Sequence, residues 1–341
     1  MDIYCIKRKE DFFEIIDQNL LPHTERYCEI KDCFEMIKAI KMLKIRGAPA
    51  IGIAAAVAAY LACKNYVDAN IAQDNASSQT IKSDFLRYMS NVIAEIENSR
   101  PTAVNLFHAT EKIKMILKTD HRKWMLLIND LVNNLMQYEY NACEKMSQKG
   151  LDYIPHGFTR FLTHCNTGSL ATYGIGTALG VIKKIAQKRN IEVFVDETRP
   201  LFQGARLTVW ELSKYGIKNT LISDNMGAWT IKTKKIQAII TGADRIAKNG
   251  DTANKIGTLN LAILAKHFKI PFYIVAPEST IDNKIDSGKS ITIEERDSCE
   301  ISFINNAPIA PPNTKVFNPA FDVVPIELIS AIITENRVIT P

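Results

Sequence analysis

The sequence has too little glycine and proline for a fibrous or low-complexity chain, with 15 and 13 among 341 residues. It also lacks an excess of one charge, since 42 basic residues face 37 acidic ones and the net charge is +5. The longest basic run, Lys7-Arg8-Lys9, is followed at once by Glu10 and Asp11. Nucleic-acid binding usually needs a clustered basic face, so we expect no nucleic-acid partner. The mild positive charge still permits an anionic small molecule.

Targeting, membrane and disulfide signals are equally weak. The first ten residues lack the basic-then-apolar order of a signal peptide. The longest apolar run, Ala50 to Cys63, is too short to span a bilayer and predicts a buried helix. The seven cysteines are scattered, and no second Cys/His pair follows Cys28 and Cys33 at zinc spacing. We therefore expect a cytoplasmic protein with free thiols, without a metal site or a membrane partner.

The first part of the chain has helical periodicity. Apolar residues recur at Phe34, Ile37, Ile40 and Leu43, and a small-residue helix is predicted from Pro49 to about Cys63. Amphipathic segments follow, and the polar stretch 68–83 is predicted to be a surface loop or an insertion. The amphipathic segments cover residues 84–98, 102–118 and 121–149.

The second part alternates short apolar runs with helical stretches, which is typical of parallel βαβ units and predicts an α/β, doubly wound parallel sheet. Glycine and proline cluster near Gln148–Pro155, so we place a helical N-terminal domain at 1–150 and the sheet domain at 151–341. The predicted strands cover 157–165, 191–196, 220–224, 236–242 and 271–276, and the predicted helices cover about 169–188, 203–214 and 254–268.

Polar residues collect where these strands end, and ligands of such sheets bind outside the carboxyl ends of the strands. Cys165 ends the first predicted strand. It could be a functional thiol, because it lies at a strand end before a predicted helix, or an ordinary buried core thiol. His164 is predicted to be structural, because neighbours in a strand point to opposite faces. Asp244 ends the fourth strand, and like Asp196 and Asp224 it could instead cap a turn.

Three segments could hold an anion. Asn166–Ser169 is predicted to open a helix, and Arg46–Ala50 combines Gly47 with a proline near a helix start. Asn254-Lys255 is predicted to open the helix after the fourth strand, although a solvated lysine is the ordinary alternative. The glycines of 168–180 lack the dinucleotide spacing and are predicted to pack inside a helix, which argues against a nicotinamide cofactor.

Taken together, these strings resemble the methylthioribose-1-phosphate isomerase family of methionine salvage, over almost the whole chain. The matching strings are Asp17-Gln18, Leu21-Pro22, Arg46-Gly47-Ala48-Pro49-Ala50-Ile51-Gly52, Ser99-Arg100-Pro101-Thr102-Ala103-Val104-Asn105, Thr163-His164-Cys165-Asn166-Thr167-Gly168, Asp196-Glu197-Thr198-Arg199-Pro200, Gln203-Gly204-Ala205-Arg206-Leu207-Thr208, Thr241-Gly242-Ala243-Asp244-Arg245-Ile246-Ala247, Asn249-Gly250-Asp251, Asn254-Lys255-Ile256-Gly257-Thr258, Ile293-Glu294-Glu295-Arg296 and Asn318-Pro319-Ala320-Phe321-Asp322-Val323.

The resemblance implies a mainly helical N-terminal domain, a Rossmann-like C-terminal domain and a homodimer. It implies that Cys165 and Asp244 carry the chemistry. One departure is Asn225-Met226-Gly227-Ala228-Trp229, where Ala-Gly is expected after the methionine. The residues it implies for holding the sugar phosphate are Arg46, Gly47, Ala48, Arg100, Gln203, Asn254 and Lys255.

The implied reaction turns an aldose 1-phosphate into a ketose 1-phosphate. The phosphate on the anomeric carbon prevents simple ring opening, so an acid must protonate the ring oxygen while hydrogen moves from C2 to C1. Asp244 is expected to be that acid, if burial raises its pKa, and Cys165 to take part in the hydrogen transfer, as proton or as hydride. Arg46, Arg100 and Lys255 are expected to neutralise the phosphate, and no metal or other cofactor is expected.

Three alternatives remain open. Related isomerases act on ribose 1,5-bisphosphate or 5-deoxyribose 1-phosphate, and an apolar pocket near Met226 and Trp229 would favour a methylthio group. Regulatory subunits of the translation initiation exchange factor share the implied fold but act as binding scaffolds, and they are expected to lack the Cys165 and Asp244 pair.

Overall fold

The structure is a computed structural model that describes residues 3–70, 78–101 and 103–341. The chain divides into two compact units, Met1–Asn141 with Leu170–Gly174, and Ala142–Ser169 with Ile175–Pro341. The domain boundary predicted between residues 150 and 151 comes later in the sequence than the division between Asn141 and Ala142. Both positions lie within one helix, Trp124–Tyr153. Part of the polar stretch 68–83, predicted as a loop or insertion, lies outside the described residues.

The first unit combines a small antiparallel sheet with long helices. The three strands, in the order β1-β2-β3, were not predicted, because runs of three or four residues carry too little alternation to identify. Its elements are β1 (Ile6–Arg8), β2 (Phe13–Ile16), β3 (Tyr27–Ile30), α1 (Cys33–Lys41), α2 (Ala48–Asn70), α3 (Ser78–Ser99), α4 (Val104–Ile116) and the first part of α5 (Trp124–Tyr153).

Helix α1 starts where the side chain of Asp32 accepts a hydrogen bond from the backbone N–H of Phe34, at 2.7 Å. The predicted apolar face is only partly right. Ile37 and Ile40 are buried, whereas Phe34 is 54% exposed and Leu43 follows the end of the helix.

Helix α2 is the centre of the first unit's core. Its segment Ala48–Ala69 is long and apolar enough to cross a membrane, but 72% of that hydrophobic window is buried inside the protein. Small side chains allow close packing: a Cβ added to Gly52 would come within 3.1 Å of Asn105 at the start of α4. The burial and the packing identify α2 as a core helix, as the sequence predicted.

The second unit contains a seven-stranded sheet in the order β16-β15-β10-β7-β4-β5-β6. All neighbours are parallel except β16, which pairs antiparallel with β15. Strand order runs outward from β4 in one direction and outward from β7 in the other. This reversal confirms the predicted doubly wound sheet, and two strands, β15 and β16, were not predicted. The strands are β4 (Arg160–Thr163), β5 (Glu192–Asp196), β6 (Asn219–Ile222), β7 (Ala238–Thr241), β10 (Phe272–Val275), β15 (Ala331–Ile333) and β16 (Val338–Ile339).

A second sheet, in the order β11-β8-β9-β14, and a hairpin of β12 and β13 complete this unit. Their bounds are β8 (Arg245–Ala247), β9 (Thr252–Lys255), β11 (Ile281–Asp282), β12 (Phe303–Ile304), β13 (Ala307–Pro308) and β14 (Phe321–Val324). The helices are α6 (Ala178–Ala186), α7 (Val209–Lys214), α8 (Gly227–Lys234), α9 (Thr258–Phe268) and α10 (Cys299–Ser302).

Two predicted helices start too early in the sequence. The helix predicted over 169–188 begins only at Ala178, because the preceding residues form a loop in which Gly168 and Gly176 pair as an isolated β-bridge. A Cβ on Gly176 would come within 2.7 Å of Gly168, so these two glycines serve the loop. Gly180 lies inside α6, where a Cβ would come within 2.6 Å of Ser147 Oγ, so for Gly180 the predicted helix packing is right. The helix predicted over 254–268 begins at Thr258, and Asn254-Lys255 ends strand β9 instead.

Candidate active site

The strand order reverses between β4 and β7, and this is the position at which doubly wound sheets bind ligands. Cys165 follows β4 and Asp244 follows β7, and the two strands pair at Leu162 and Ile239. The loops after these strands meet, since a Cβ on Gly242 would lie 2.6 Å from the side chain of Thr167. The structure therefore brings the loops that carry the two predicted catalytic residues to one edge of the sheet.

The backbone of Cys165 is held in the left-handed region, at φ 60°. Its N–H donates to Thr198 Oγ1 at 2.9 Å, and its carbonyl accepts from Thr208 Oγ1 at 2.6 Å. A residue with a side chain rarely adopts this conformation, and it persists where the surroundings impose it, which is common at active sites. The side chain is 8% exposed.

His164 lies in a buried hydrogen-bond network, as its predicted structural role requires. Its Nδ1 is 3.0 Å from Asp196 Oδ2 and its Nε2 is 2.8 Å from the carbonyl of Ile256, so both ring nitrogens face oxygen atoms. Burial lowers the pKa of His164, but the hydrogen bond and charge of Asp196 outweigh it and the net direction is upward. Burial also raises the pKa of Asp196, so the pair retains a proton that the separate groups would lose more easily.

Asp224 caps the turn after β5, 25 and 26 residues away in sequence, rather than its own turn as the sequence alternative proposed. Its Oδ1 accepts from the N–H of Thr198 at 2.8 Å and its Oδ2 from the N–H of Arg199 at 2.7 Å. Ligand atoms of His164, Asp196 and Asp224 lie within 4.8 Å of one another, a separation that a metal ion could bridge. The hydrogen bonds already account for this closeness, so we assign the cluster to positioning the loops.

Asp244 is half-buried and enters the second sheet, its N–H donating to the carbonyl of Ala253 at 3.0 Å. The next two residues on that strand are buried. Asn254 donates to Thr258 Oγ1 at 3.0 Å, and Lys255 Nζ donates to the carbonyl of Ala320 at 2.9 Å. Lys255 is thus an oriented, buried cation rather than a solvated one.

Gln203 reaches the same edge of the main sheet. A Cβ on the next residue, Gly204, would lie only 1.7 Å from the carbonyl of Asp196, so glycine lets this segment close onto the end of β5. The Oε1 of Gln203 is buried and accepts no hydrogen bond from the described part of the chain. A buried acceptor without a donor is costly, and a substrate hydroxyl would supply one.

The remaining predicted residues belong to the first unit. Gly47, at φ 94°, directly precedes α2, and a Cβ there would lie 2.5 Å from the carbonyl of Ala171. Arg46 and Ala48 are half-buried beside it at the start of the helix, where backbone N–H groups favour an anion. Arg100 is half-buried after α3, and its carbonyl accepts from the N–H of Ala103 at 3.1 Å.

The sequence prediction for Asn166–Ser169 is wrong in its structural basis. No helix starts there, and the N–H of Ser169 donates to Glu211 Oε2 at 2.8 Å, so this turn binds a carboxylate of the protein itself. Glu211 and its partner Lys183 were both missed. The available signal was a charged residue among apolar neighbours in each of two short helices, Lys183 in α6 and Glu211 in α7.

The residues proposed to surround a methylthio group do not form an enclosed apolar pocket. Met226 is 42% exposed and Trp229 is 64% exposed, next to the edge strand β6. Residues Gly227–Lys234 form α8, so the sequence departure at Gly227-Ala228 lies at a helix start.

The known sequences that are similar to this chain agree on its family. Residues 44–341 match the profile of the initiation factor 2 subunit family. The methylthioribose-1-phosphate isomerase of Geobacter sulfurreducens is 45% identical, covering 100% of this chain and 96% of the relative. That of Caldicellulosiruptor saccharolyticus is 47% identical, covering 98% and 95%.

Solved structures agree on the fold. A 5-methylthioribose 1-phosphate isomerase from Pyrococcus horikoshii has a TM-score of 0.86 at 38% identity, covering 99% of this chain and 92% of that one. A structure from A. fulgidus, described as translation initiation factor eIF-2B, subunit delta, has a TM-score of 0.85 at 37% identity, covering 100% and 96%. These two structures are almost equally similar to this chain but are named for different functions, so the fold alone does not distinguish an isomerase from an initiation factor subunit.

Proposed function

This chain belongs to the methylthioribose-1-phosphate isomerases of the initiation factor 2 subunit family, and we propose that it converts 5-methylthioribose 1-phosphate into 5-methylthioribulose 1-phosphate in methionine salvage. The observation that carries the proposal is the position of Cys165 and Asp244. They follow two adjacent parallel strands where the strand order reverses, and the loops that hold them touch.

The reaction moves atoms within one molecule. C1 gains a hydrogen, C2 loses one and its hydroxyl becomes a carbonyl, and the ring oxygen becomes a hydroxyl. We assign Asp244 as the acid that protonates the ring oxygen when the C1–O bond breaks. Cys165 either relays the C2 proton to C1 or stabilises the charge that develops if hydride moves directly. Because hydrogen is conserved within the substrate, this route has no net oxidation and calls for no nicotinamide. With Asp244 as the acid and Cys165 in the hydrogen transfer, we propose that it also runs without a metal.

Three cations are assigned to the phosphate. Lys255 is supported by its burial and by the carbonyl of Ala320, which orients its ammonium group. Arg46 and Arg100 are supported by the resemblance and by half-burial next to helix ends in the first unit. Arginine binds phosphate through two parallel hydrogen bonds, so these two side chains also fix its orientation.

Gln203 and Asn254 are assigned to the sugar, and Gly47 and Ala48 to the phosphate through the backbone. The buried, unpaired Oε1 of Gln203 supports its part. We extend the proposal to a cytoplasmic location, which is supported by seven cysteines that are all free thiols, and to a homodimer, which rests on the resemblance alone.

The test is ketose formation by the purified protein from three substrates in parallel, without added metal or nucleotide. They are methylthioribose 1-phosphate, 5-deoxyribose 1-phosphate and ribose 1,5-bisphosphate. We expect preference for the first, with the second close behind. Preference for the bisphosphate would replace the substrate but keep the chemistry, and no turnover of any of the three would favour a scaffold role.

A further inference from the structure

A buried ion pair lies directly against the loop that follows Cys165. Glu211 Oε2 is 2.8 Å from Lys183 Nζ, and the two side chains are 0% and 2% exposed. The same carboxylate accepts from Asn166 Nδ2 at 2.9 Å and from the N–H of Ser169 at 2.8 Å. Lys183 Nζ also donates to Ser169 Oγ at 3.1 Å. Nothing in the proposed reaction uses either charge.

We propose that Glu211 is a positioning residue for Cys165, holding the loop Asn166–Ser169 so that the thiol faces the substrate. This inference rests on the proposed function only for its effect on turnover. The connection to the backbone of Cys165 is short: Asn166 Nδ2 donates to Thr208 Oγ1 at 3.2 Å as well, and Thr208 Oγ1 donates to the carbonyl of Cys165 at 2.6 Å.

The carboxylate matches the donors of Asn166, Ser169 and Lys183 in a way that a neutral side chain cannot. Two oxygens accept from Asn166, Ser169 and Lys183, whereas an amide in the same place would set its own N–H₂ against one of them. Gly168 permits the approach, because a Cβ there would lie 2.3 Å from Glu211 Oε2. The conformation of Cys165 is unfavourable by itself, so it depends on such neighbours.

The next lysine on α6 provides a matched control. Lys184 pairs with Glu144 at 3.1 Å, but these side chains are 24% and 38% exposed. Neither residue contacts the loop 166–169 through any hydrogen bond found in the described part of the chain. Lys183 and Lys184 are neighbours on α6, and only the pair of Lys183 with Glu211 forms hydrogen bonds to the loop Asn166–Ser169.

The experiment uses Glu211→Gln, Glu211→Asp, the double variant Glu211→Gln/Lys183→Met, and Lys184→Met as the control. A lone Lys183 left buried without its partner destabilises the fold, so the double variant removes both charges together. Thermal melting and circular dichroism report folding, and kcat and KM are measured separately. Alkylation of the Cys165 peptide by iodoacetamide, followed by mass spectrometry from pH 6 to 9, reports the thiol without any substrate.

In the folded double variant we expect kcat to fall about 100-fold, as for a displacement of about 1 Å, with KM within about twofold. The alkylation rate of Cys165 is expected to change about fivefold or more, and its pH profile to shift, because a loop that moves changes the access and surroundings of the thiol. Glu211→Asp keeps the charge but withdraws it by one methylene, so an intermediate kcat is expected. Lys184→Met is expected to match the unchanged protein in every measurement.

Normal kcat and normal alkylation in the folded double variant would overturn the proposal and leave the pair a purely structural one. If the double variant does not fold, the same two measurements on Glu211→Asp decide, and normal values there also overturn it. If the unchanged protein has no isomerase activity but the variants still alter Cys165 alkylation, the positioning role stands and the proposed function fails.

Discussion

The two compact units bury different kinds of side chain. The core of the first unit is made of apolar residues from its helices and its small sheet, and among the described residues its buried carboxylates are Asp17 and Glu139. In the second unit, polar and charged groups are buried at the carboxyl edge of the sheet, among them His164, Asp196 and Glu211. The first unit is stabilised mainly by the removal of apolar surface from water. In the second unit, the burial of polar groups at the sheet edge costs part of the free energy of folding.

This difference has a physical basis. Burial of apolar surface is favourable in almost any arrangement that excludes water. A buried charge is costly unless its partners meet it at hydrogen-bond distance, so each one fixes the positions of its neighbours. Substitutions in the apolar core of the first unit should therefore act on stability, and substitutions at the sheet edge of the second should act on turnover.

The largest effect is expected at the proposed catalytic pair. Cys165→Ser and Asp244→Asn are each expected to lower kcat by about 10²- to 10⁴-fold, the usual contribution of a positioned acid or base, or about 2.7–5.5 kcal/mol in the barrier. The measurement is ketose formation at saturating substrate. Thermal midpoints should stay within a few degrees of the unchanged protein. Near-normal turnover in both variants would contradict the assignment.

The converse effect is expected in the first unit. Phe13 is 2% exposed and packs edge-on against Tyr60, with ring centroids 6.0 Å apart. Phe13→Ala leaves a cavity and is expected to cost about 3–5 kcal/mol of the free energy of unfolding. Urea denaturation measures this loss. The fraction that remains folded should keep its KM for substrate, and a large change in KM would show that the two units are not separable in this way.

The same contrast explains what could be predicted from the sequence. Helices α1 and α2 follow from local periodicity and small-residue composition, because apolar burial leaves a regular pattern. The parallel strands follow from short apolar runs between helices. The positions of Cys165 and Asp244 then follow from a general rule about strand ends, and the structure places both at the reversal of strand order.

The buried polar contacts could not be predicted in this way. Glu211 lies 42 residues from Ser169 and 45 from Asn166 in sequence, so no local pattern joins them. The early start predicted for the helix over 169–188 has a related cause, since Gly168 and Gly176 support a loop in place of its first turns. Asn254-Lys255 was placed in a helix because a four-residue strand leaves little trace.

The smallest effect is expected from the buried pair His164 and Asp196, as a dependence of stability on pH. Both pKa values are raised in the folded protein, so the folded state binds more protons than the unfolded state. The contribution of His164 is complete below its unfolded pKa of 6.5 and is lost as pH rises through the higher folded value. Stability should fall by up to about 1.4 kcal/mol per pH unit for one proton in that window.

Urea denaturation at pH 6, 7 and 8 measures this slope, with His164→Gln as the comparison. Glutamine can still donate to Asp196 but does not titrate, so the slope should flatten above pH 6.5 although the variant is less stable overall. The other histidines are the same in both proteins, so the difference between the two slopes isolates residue 164. Equal slopes in the two proteins would mean that the buried pair holds no extra proton, and that it orients the end of β4 as a neutral imidazole hydrogen-bonded to an aspartate anion.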